Sequence, residues 1–169
     1  MATLAELGSR RLSRGGDMTT AWVSTASWTP AAAAYSANDV ISTAQEFTSI
    51  GFPNGGEVMI HSTSLLVAHT ALISGETNYL LYLYSVTPPS ALADNDAFDI
   101  PSGDRASFVA RIDLGTPADL GSTLLVQTDE INKQVTVPNG GSLFGYLVTA
   151  GAFTATAAAR QVTLHTRAL

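Results

Sequence analysis

From residue 20 onward the chain is a succession of short runs rich in Val, Ile, Leu, Thr and aromatic residues, separated by Gly, Pro, Asn and Asp. Runs of this length punctuated by turn formers predict β-strands rather than helices. The pattern predicts strands over Trp22 to Ser24, Asp39 to Ile41, Glu46 to Ser49, Val58 to Ala68, Asn78 to Val86, Ser107 to Ile112, Thr123 to Thr128, Asn132 to Val137, Leu143 to Val148 and Gln161 to Thr166. Two runs alternate. Val135 and Val137 oppose Gln134 and Thr136, while Val162 and Leu164 oppose Gln161, Thr163, His165 and Arg167, so each strand buries one face only. Tyr79-Leu80-Leu81-Tyr82-Leu83-Tyr84 is apolar on both faces. One side therefore needs a cover beyond the facing sheet: a loop of the same chain, an arm, or another subunit. On that ground Tyr79, Tyr82 and Tyr84 are candidate interface residues.

Turns punctuate the runs. Pro-Asn-Gly-Gly occurs at Pro53 to Gly56 and again at Pro138 to Gly141, each time before a strongly apolar run. Asn-Gly accepts positive φ at little cost, so both segments read as turns. The repeat marks either a duplicated half-sandwich or turn chemistry that arose twice. The longest segment without a strand pattern is Thr87 to Arg105, where Pro88-Pro89 stops the preceding strand and Ser90 to Ala93 has room for one helical turn. Asp-Leu-Gly recurs at Asp113 to Gly115 and Asp119 to Gly121 around Thr116-Pro117, a paired turn between strands.

The N-terminal residues differ from the rest of the chain. Leu4, Leu7 and Leu12 with Glu6, Arg10 and Arg11 suit a short amphipathic helix ending at Gly15-Gly16. The chain thus divides into an N-terminal arm, residues 1–19, and a β-sandwich domain, residues 20–169. Arg-Gly-Gly-Asp before Met18 is what a purine-rich ribosome-binding site encodes when read in frame, which makes Met18 a candidate start. Arg10, Arg11 and Arg14 form a basic arm suited to an acidic neighbouring subunit, including another copy's acidic loop, or else a leader with no fixed place.

Composition sharpens this picture. The 169 residues are 46% hydrophobic and 13% charged, a composition that folds. A chain of this length buries roughly 70% of its unfolded surface. The net charge of -6 comes from 14 acidic against 8 basic residues. Beyond the arm the cations are Lys133, Arg105, Arg111, Arg160 and Arg167, too sparse for the positive field that nucleic-acid phosphates require. There is no cysteine, hence no disulfide, thiol nucleophile or thiolate metal site. No apolar stretch approaches the ~20 residues that span a bilayer, and the N-terminus lacks a signal-peptide core, so no membrane association is expected.

Candidate chemistry is sparse. There is no Gly-x-Ser-x-Gly elbow, and His61, His69 and His165 lack a characteristic neighbour. His61 and Ser62 point to opposite faces if their strand is regular. Asp94, Asp96, Asp99 and Asp104 place four carboxylates on one loop, but without calcium-loop spacing; a solvated acidic loop is the alternative. Gly55-Gly56 and Gly140-Gly141 lack the Lys and helix start of a phosphate loop. Trp22, Trp28 and Tyr35 suit a core or a platform for sugar rings. No catalytic residue, metal ligand or cofactor site is assigned, and the chain is expected not to be an enzyme.

Several strings resemble small virion proteins of tailed bacteriophages. They are Tyr35-Ser-Ala-Asn-Asp-Val-Ile-Ser42, Leu65-Leu-Val-Ala68, Leu83-Tyr-Ser-Val-Thr-Pro-Pro-Ser-Ala-Leu-Ala-Asp-Asn95, Asp113-Leu-Gly, Ser122-Thr-Leu-Leu-Val-Gln-Thr-Asp and Val162-Thr-Leu-His-Thr. The resemblance covers roughly residues 20 to 169 and leaves the arm outside it. It implies an all-β, jelly-roll-like antiparallel β-sandwich that decorates, or cements, an icosahedral capsid. The implied partner is the major capsid protein, the implied oligomer a homotrimer at local three-fold positions, and the implied location the capsid surface after synthesis in a bacterial cytoplasm. A head-spike base, fibre or tail subunit, or a module that binds host glycans, is the alternative.

Overall fold

The computed structural model describes residues 20–169. It contains twelve strands and, among the described residues, no helix. In chain order they are β1 (Ala21–Trp28), β2 (Ala34–Tyr35), β3 (Val40–Phe47), β4 (Gly56–Val67), β5 (Tyr79–Tyr84), β6 (Phe108–Gly115), β7 (Ala118–Asp119), β8 (Leu124–Thr128), β9 (Lys133–Val137), β10 (Leu143–Thr149), β11 (Phe153–Thr154) and β12 (Arg160–Ala168). One sheet runs β1-β12-β4-β8-β7, with β9 also paired to β4, and the other runs β3-β10-β5-β6. A two-stranded ribbon joins β11 to β2.

Every pairing is antiparallel. Strands β8 and β9 are two pieces of one long strand: β8 pairs with Thr63 to Val67 and β9 with Gly56 to Ile60 of the same neighbour. With those two counted together and the two-residue strands set aside, eight strands remain. The first, eighth, third and sixth form one sheet, and the second, seventh, fourth and fifth form the other. This is the jelly-roll order, in which two interleaved Greek keys place sequence-distant strands side by side. The fold is therefore an all-β, antiparallel jelly-roll sandwich.

Alternation fills the space between the sheets. Trp28, Ile60, Leu65, Val67, Leu124, Val137, Val162 and Leu164 from one sheet meet Ile41, Phe47, Tyr79, Leu81, Leu83, Leu114, Leu143 and Leu147 from the other, all buried. The segments Asp39 to Ile41 and Glu46 to Ser49 overlap the two ends of one strand, β3, which spans Val40–Phe47. Its middle is irregular: Ser42 has φ 61°, and its register with β10 shifts between Gly145 and Leu147. That kink hides a continuous strand from a period-two pattern.

The two Pro-Asn-Gly-Gly segments form one structural feature. Gly56 pairs with Val137, so the turn before β4 and the turn after β9 lie side by side, and the Gly140 amide donates to the Pro53 carbonyl at 2.7 Å. Gly55 and Gly141 have φ of 75° and 71°. A Cβ on Gly55 would lie 2.8 Å from the Val137 carbonyl oxygen, and one on Gly141 3.0 Å from that of Gly51. The repeat thus reflects two turns packed on each other, each needing glycine for its backbone angle and for space.

At the other end of the sandwich the interior holds a charged pair. Arg160 and Glu76 are fully buried side chains 3.1 Å apart. Arg160 Nε donates to the Tyr79 hydroxyl at 2.8 Å and Nη1 to the Ala158 carbonyl at 2.9 Å, while the Tyr79 hydroxyl donates to Glu76 Oε1. The guanidinium also lies 5.5 Å from the centre of the Phe153 ring. A desolvated pair with its hydrogen bonds satisfied locks the 68–78 and 150–159 loops to the strands between them.

Candidate interaction surface

The two sheets present different outer faces. On the four-stranded sheet the outward side chains Val40, Leu80, Tyr84, Tyr146 and Val148 are buried, beneath Leu92 and Phe98 of the 85–107 loop. Tyr82 packs on Phe98 with ring centres 3.9 Å apart, and Tyr84 meets Tyr146 edge to face at 6.0 Å. The cover for the two-sided run is thus the chain's own long loop. Tyr79 points the other way, into the core, and is 0% exposed; Tyr84 is 1% exposed and Tyr82 is half-buried. Arg10, Arg11 and Arg14 lie outside the described residues.

Backbone amides and carboxylates hold the loop down. Asn95 and Asp96 pair with Val40, and Phe98 donates to the Asn38 carbonyl. Asp94 accepts three bonds: from the Ser42 amide at 2.5 Å, the Tyr35 hydroxyl at 2.7 Å and the Ala31 amide at 2.8 Å. Asp104, buried, accepts from the Ser90 amide at 3.1 Å, and Asp96 from Ala93 at 2.7 Å. These carboxylates of the acidic loop are thus engaged with backbone donors. Among the described residues no group of three or more His, Asp or Glu is arranged to hold a metal ion.

Burial sets the tyrosines' chemistry. It pushes the Tyr84 and Tyr146 phenols up; for Tyr84 the nearby Asp104 adds to the shift, and for Tyr146 the Leu92 amide, which donates to its oxygen at 2.9 Å, opposes it. Burial likewise raises Tyr35, helped by Asp94, and raises Tyr79, where the Arg160 charge works against it. All four phenols are held neutral as packing groups, and those of Tyr35, Tyr79 and Tyr146 also hydrogen-bond.

Among the described residues the outer face of the six-stranded sheet has no such cover. Its side chains line up in rows set by the strand register. Thr25, Thr163, Ser64 and Gln127 form one row, and Ser27, Gln161, Leu66 and Leu125 the next. Val23, His165 and Ser62 form a third. Thr25 and Thr163 share a hydrogen bond at 2.8 Å, and Val23 and Leu66 are 64% and 40% exposed. No acidic or basic residue falls in the first two rows; Arg167 and Glu57 sit toward one end of the sheet. The result is a broad, nearly uncharged face of hydroxyls, amides and exposed aliphatic groups.

His61 and Ser62 break the alternation expected of them. The β4–β12 register shifts at this point: His165 faces Ser62 and Thr166 faces Ile60, which leaves His61 without a partner residue on β12. This bulge lies opposite the gap between β8 and β9, where Ile131 donates to the His61 carbonyl at 3.0 Å. Both side chains consequently line one shallow depression with Asp129, Glu130 and Arg167. Among the described residues no hydrogen bond links the His61 ring to Ser62 or Asp129, so the arrangement does not form an activated nucleophile.

The aromatic cluster near the start of the domain divides. Trp28 and Tyr35 are core residues, packed on Phe47 and Phe153 respectively, whereas Trp22 is half-buried edge to face against Phe52 at 4.8 Å. The buried cluster of Arg160 with Glu76 and Tyr79 is not among the sites that motif and spacing pick out. Its signal is parity: one step back along the inward residues Val162 and Leu164 falls on Arg160.

No protein-family model matches the chain, and no curated protein matches it in sequence. Among solved structures it is similar to a chain of the cyanophage Pam1 capsid asymmetric unit, with 17% identity, 91% of this chain and 89% of that one covered, and a TM-score of 0.37. It is similar to a chain of the Triatoma virus empty capsid, with 14% identity, coverage of 88% and 86%, and a TM-score of 0.31. It is also similar to the K1 cleaved adhesin domain of Lys-gingipain from Porphyromonas gingivalis W83, with 11% identity, coverage of 74% and 62%, and a TM-score of 0.32. The chain therefore spans less than two thirds of that adhesin domain. The fold assignment rests on the strand order, and these likenesses add nothing to it.

Proposed function

We propose that this protein is a non-catalytic structural component of a virion that decorates and stabilises an icosahedral phage capsid by binding the major capsid protein. The observation that carries the proposal is the contrast between the outer faces: one is closed by the chain's own loop, the other is open, broad and almost free of charge. A surface of hydroxyls, amides and exposed aliphatic groups suits close contact with another protein, where charged residues are depleted at the centre of the patch. The resemblance of residues 20–169 to small virion proteins supports the same role. By that resemblance the copies associate as trimers on the shell surface after synthesis in a bacterial cytoplasm, with the arm carrying Arg10, Arg11 and Arg14 reaching a neighbouring subunit. Many weak, identical contacts then add up over the shell.

The test is to mix the purified protein with expanded heads that lack it. Saturable binding with increased heat resistance of the heads is expected, and no binding overturns the proposal. Copy number then separates a decoration protein, present in many copies, from a fibre, tail or spike-base subunit present in few.

A further inference from the structure

Four strand edges border the two sheets, and three of them carry features that discourage pairing with another chain. The edge strand β3 is covered by backbone bonds from Asn95 and Asp96 and kinked at Ser42. Strand β6 carries Arg111 and Asp113 and ends at Gly115 with φ 92°. The far edge of the six-stranded sheet is broken into short pieces bearing Asp119 and Lys133. Charges, kinks and short strands are how natural sheets blunt their edges.

Strand β1 has none of these. Its eight residues, Ala-Trp-Val-Ser-Thr-Ala-Ser-Trp, contain no charge, no proline and no residue of positive φ. Among the described residues its backbone pairs with β12 on one side and with nothing on the other. Val23, on its outer face, is 64% exposed.

We infer that β1 of one molecule pairs antiparallel with β1 of a second copy about a two-fold axis at Val23, joining two six-stranded sheets into one. A second copy is the occupant these observations favour, for two reasons. Antiparallel self-pairing needs an uncharged edge on both partners, and β1 supplies it twice; with Val23 on the axis, the exposed valine is covered by its own counterpart. The second reason is charge. The C-terminal end of β1 leads to Ala31, whose amide is bonded to Asp94, so the loop bearing Asp94 and the exposed Asp96 and Asp99 sits just beyond it. The sequence leading into β1 carries Arg10, Arg11 and Arg14, whereas residues 20–169 carry twelve acidic against five basic side chains. Two copies thus offer each other opposite charge, attraction that salt weakens.

The pair does not depend on shell binding, and it leaves other surfaces free for a three-fold contact. Light scattering of the full chain in low salt is expected to give twice the 17.6 kDa mass of one chain, falling toward one chain with dilution or added salt. Val23→Lys with Thr25→Lys sets like charges across the axis on exposed positions and is expected to give folded monomers, with the β-sheet circular dichroism of the wild type. Val23→Cys introduces the sole cysteine, and mild oxidation is expected to yield a covalent dimer. A wild-type monomer, as when the chain's own N-terminal residues cover the edge, overturns the inference. So does a mass insensitive to the lysine pair, or a Val23→Cys protein that stays uncrosslinked; the last holds even if the lysine variant fails to fold.

Discussion

The outer faces of the two sheets differ already in the sequences that build them. Strand β5, Tyr79–Tyr84, is apolar on both sides, and the chain spends its longest loop covering the outward one with Leu92 and Phe98. Strands β1, β4 and β12 are apolar on one side only, and their outward Thr, Ser and Gln residues need no cover. The difference separates stability from association. A side chain under the loop is part of a core, so its loss is felt by the whole fold; one on the open face is free to serve a contact with another molecule.

Tyr146→Ala tests the covered face most severely. It removes a ring packed on Tyr84 and Phe98 and the acceptor of the Leu92 amide, and is expected to cost about 3–5 kcal/mol, read as a lowered denaturation midpoint. Tyr146→Phe keeps the ring and loses only the hydrogen bond, about 1 kcal/mol. If both variants match wild type, the loop is not a structural cover and the contrast between the faces fails.

Asp94→Ala is expected to cost less, about 2–3 kcal/mol, because it leaves three donors without their acceptor but removes little packing. Its signature is local: the 85–107 loop should become open to protease and to amide exchange before the strands do. Uniform loss of protection across β4 and β12 would mean that the loop and sandwich unfold as one unit.

Alkaline pH probes the same phenols without mutation. Burial holds Tyr35, Tyr79, Tyr84 and Tyr146 neutral to higher pH than in the unfolded chain, where tyrosine ionises near ~10. As pH rises past that value the unfolded state releases protons first. Stability is therefore whole below pH ~10 and falls above it, by up to about 1.4 kcal/mol per pH unit for the fully buried Tyr79. Urea midpoints measured on either side of pH ~10 check this. A midpoint constant through that range would mean the phenols are not buried.

How much of the fold is legible in the sequence depends on how local each feature is. Period-two alternation and short apolar runs locate the strands around β4, β5, β8, β9, β10 and β12, and the two-sided run announces that β5 needs a cover. The features that stay hidden depend on partners distant in the chain. Trp28 meets Arg160 through a strand pair 132 positions apart, and Asp94 reaches Ala31 across 63. Local pattern carries no term for such closures. The kink at Ser42 makes one strand look like two, and the bulge at His61 removes the alternation that a regular strand would impose. Arg160 is different: its inward position follows from parity, but an arginine in a core is expected only once Glu76 and Tyr79 are known to be beside it.

The smallest expected effect on stability is also the most discriminating. Thr163→Lys lies at the middle of the open face, in the row with Thr25, Ser64 and Gln127, and its side chain has room to reach solvent. Loss of the Thr25 hydroxyl contact on an exposed surface should change folding stability by no more than about 0.5 kcal/mol. In association the same change matters more, because a lysine buried at an uncharged contact must give up its hydration without an acidic partner. Loss of head binding with an unchanged melting temperature would place the contact on this face. Full binding by the variant would move the contact elsewhere, to the loop-covered side or the sheet edges, and the open face would then be solvent-facing surface whose Thr and Ser rows serve solubility alone.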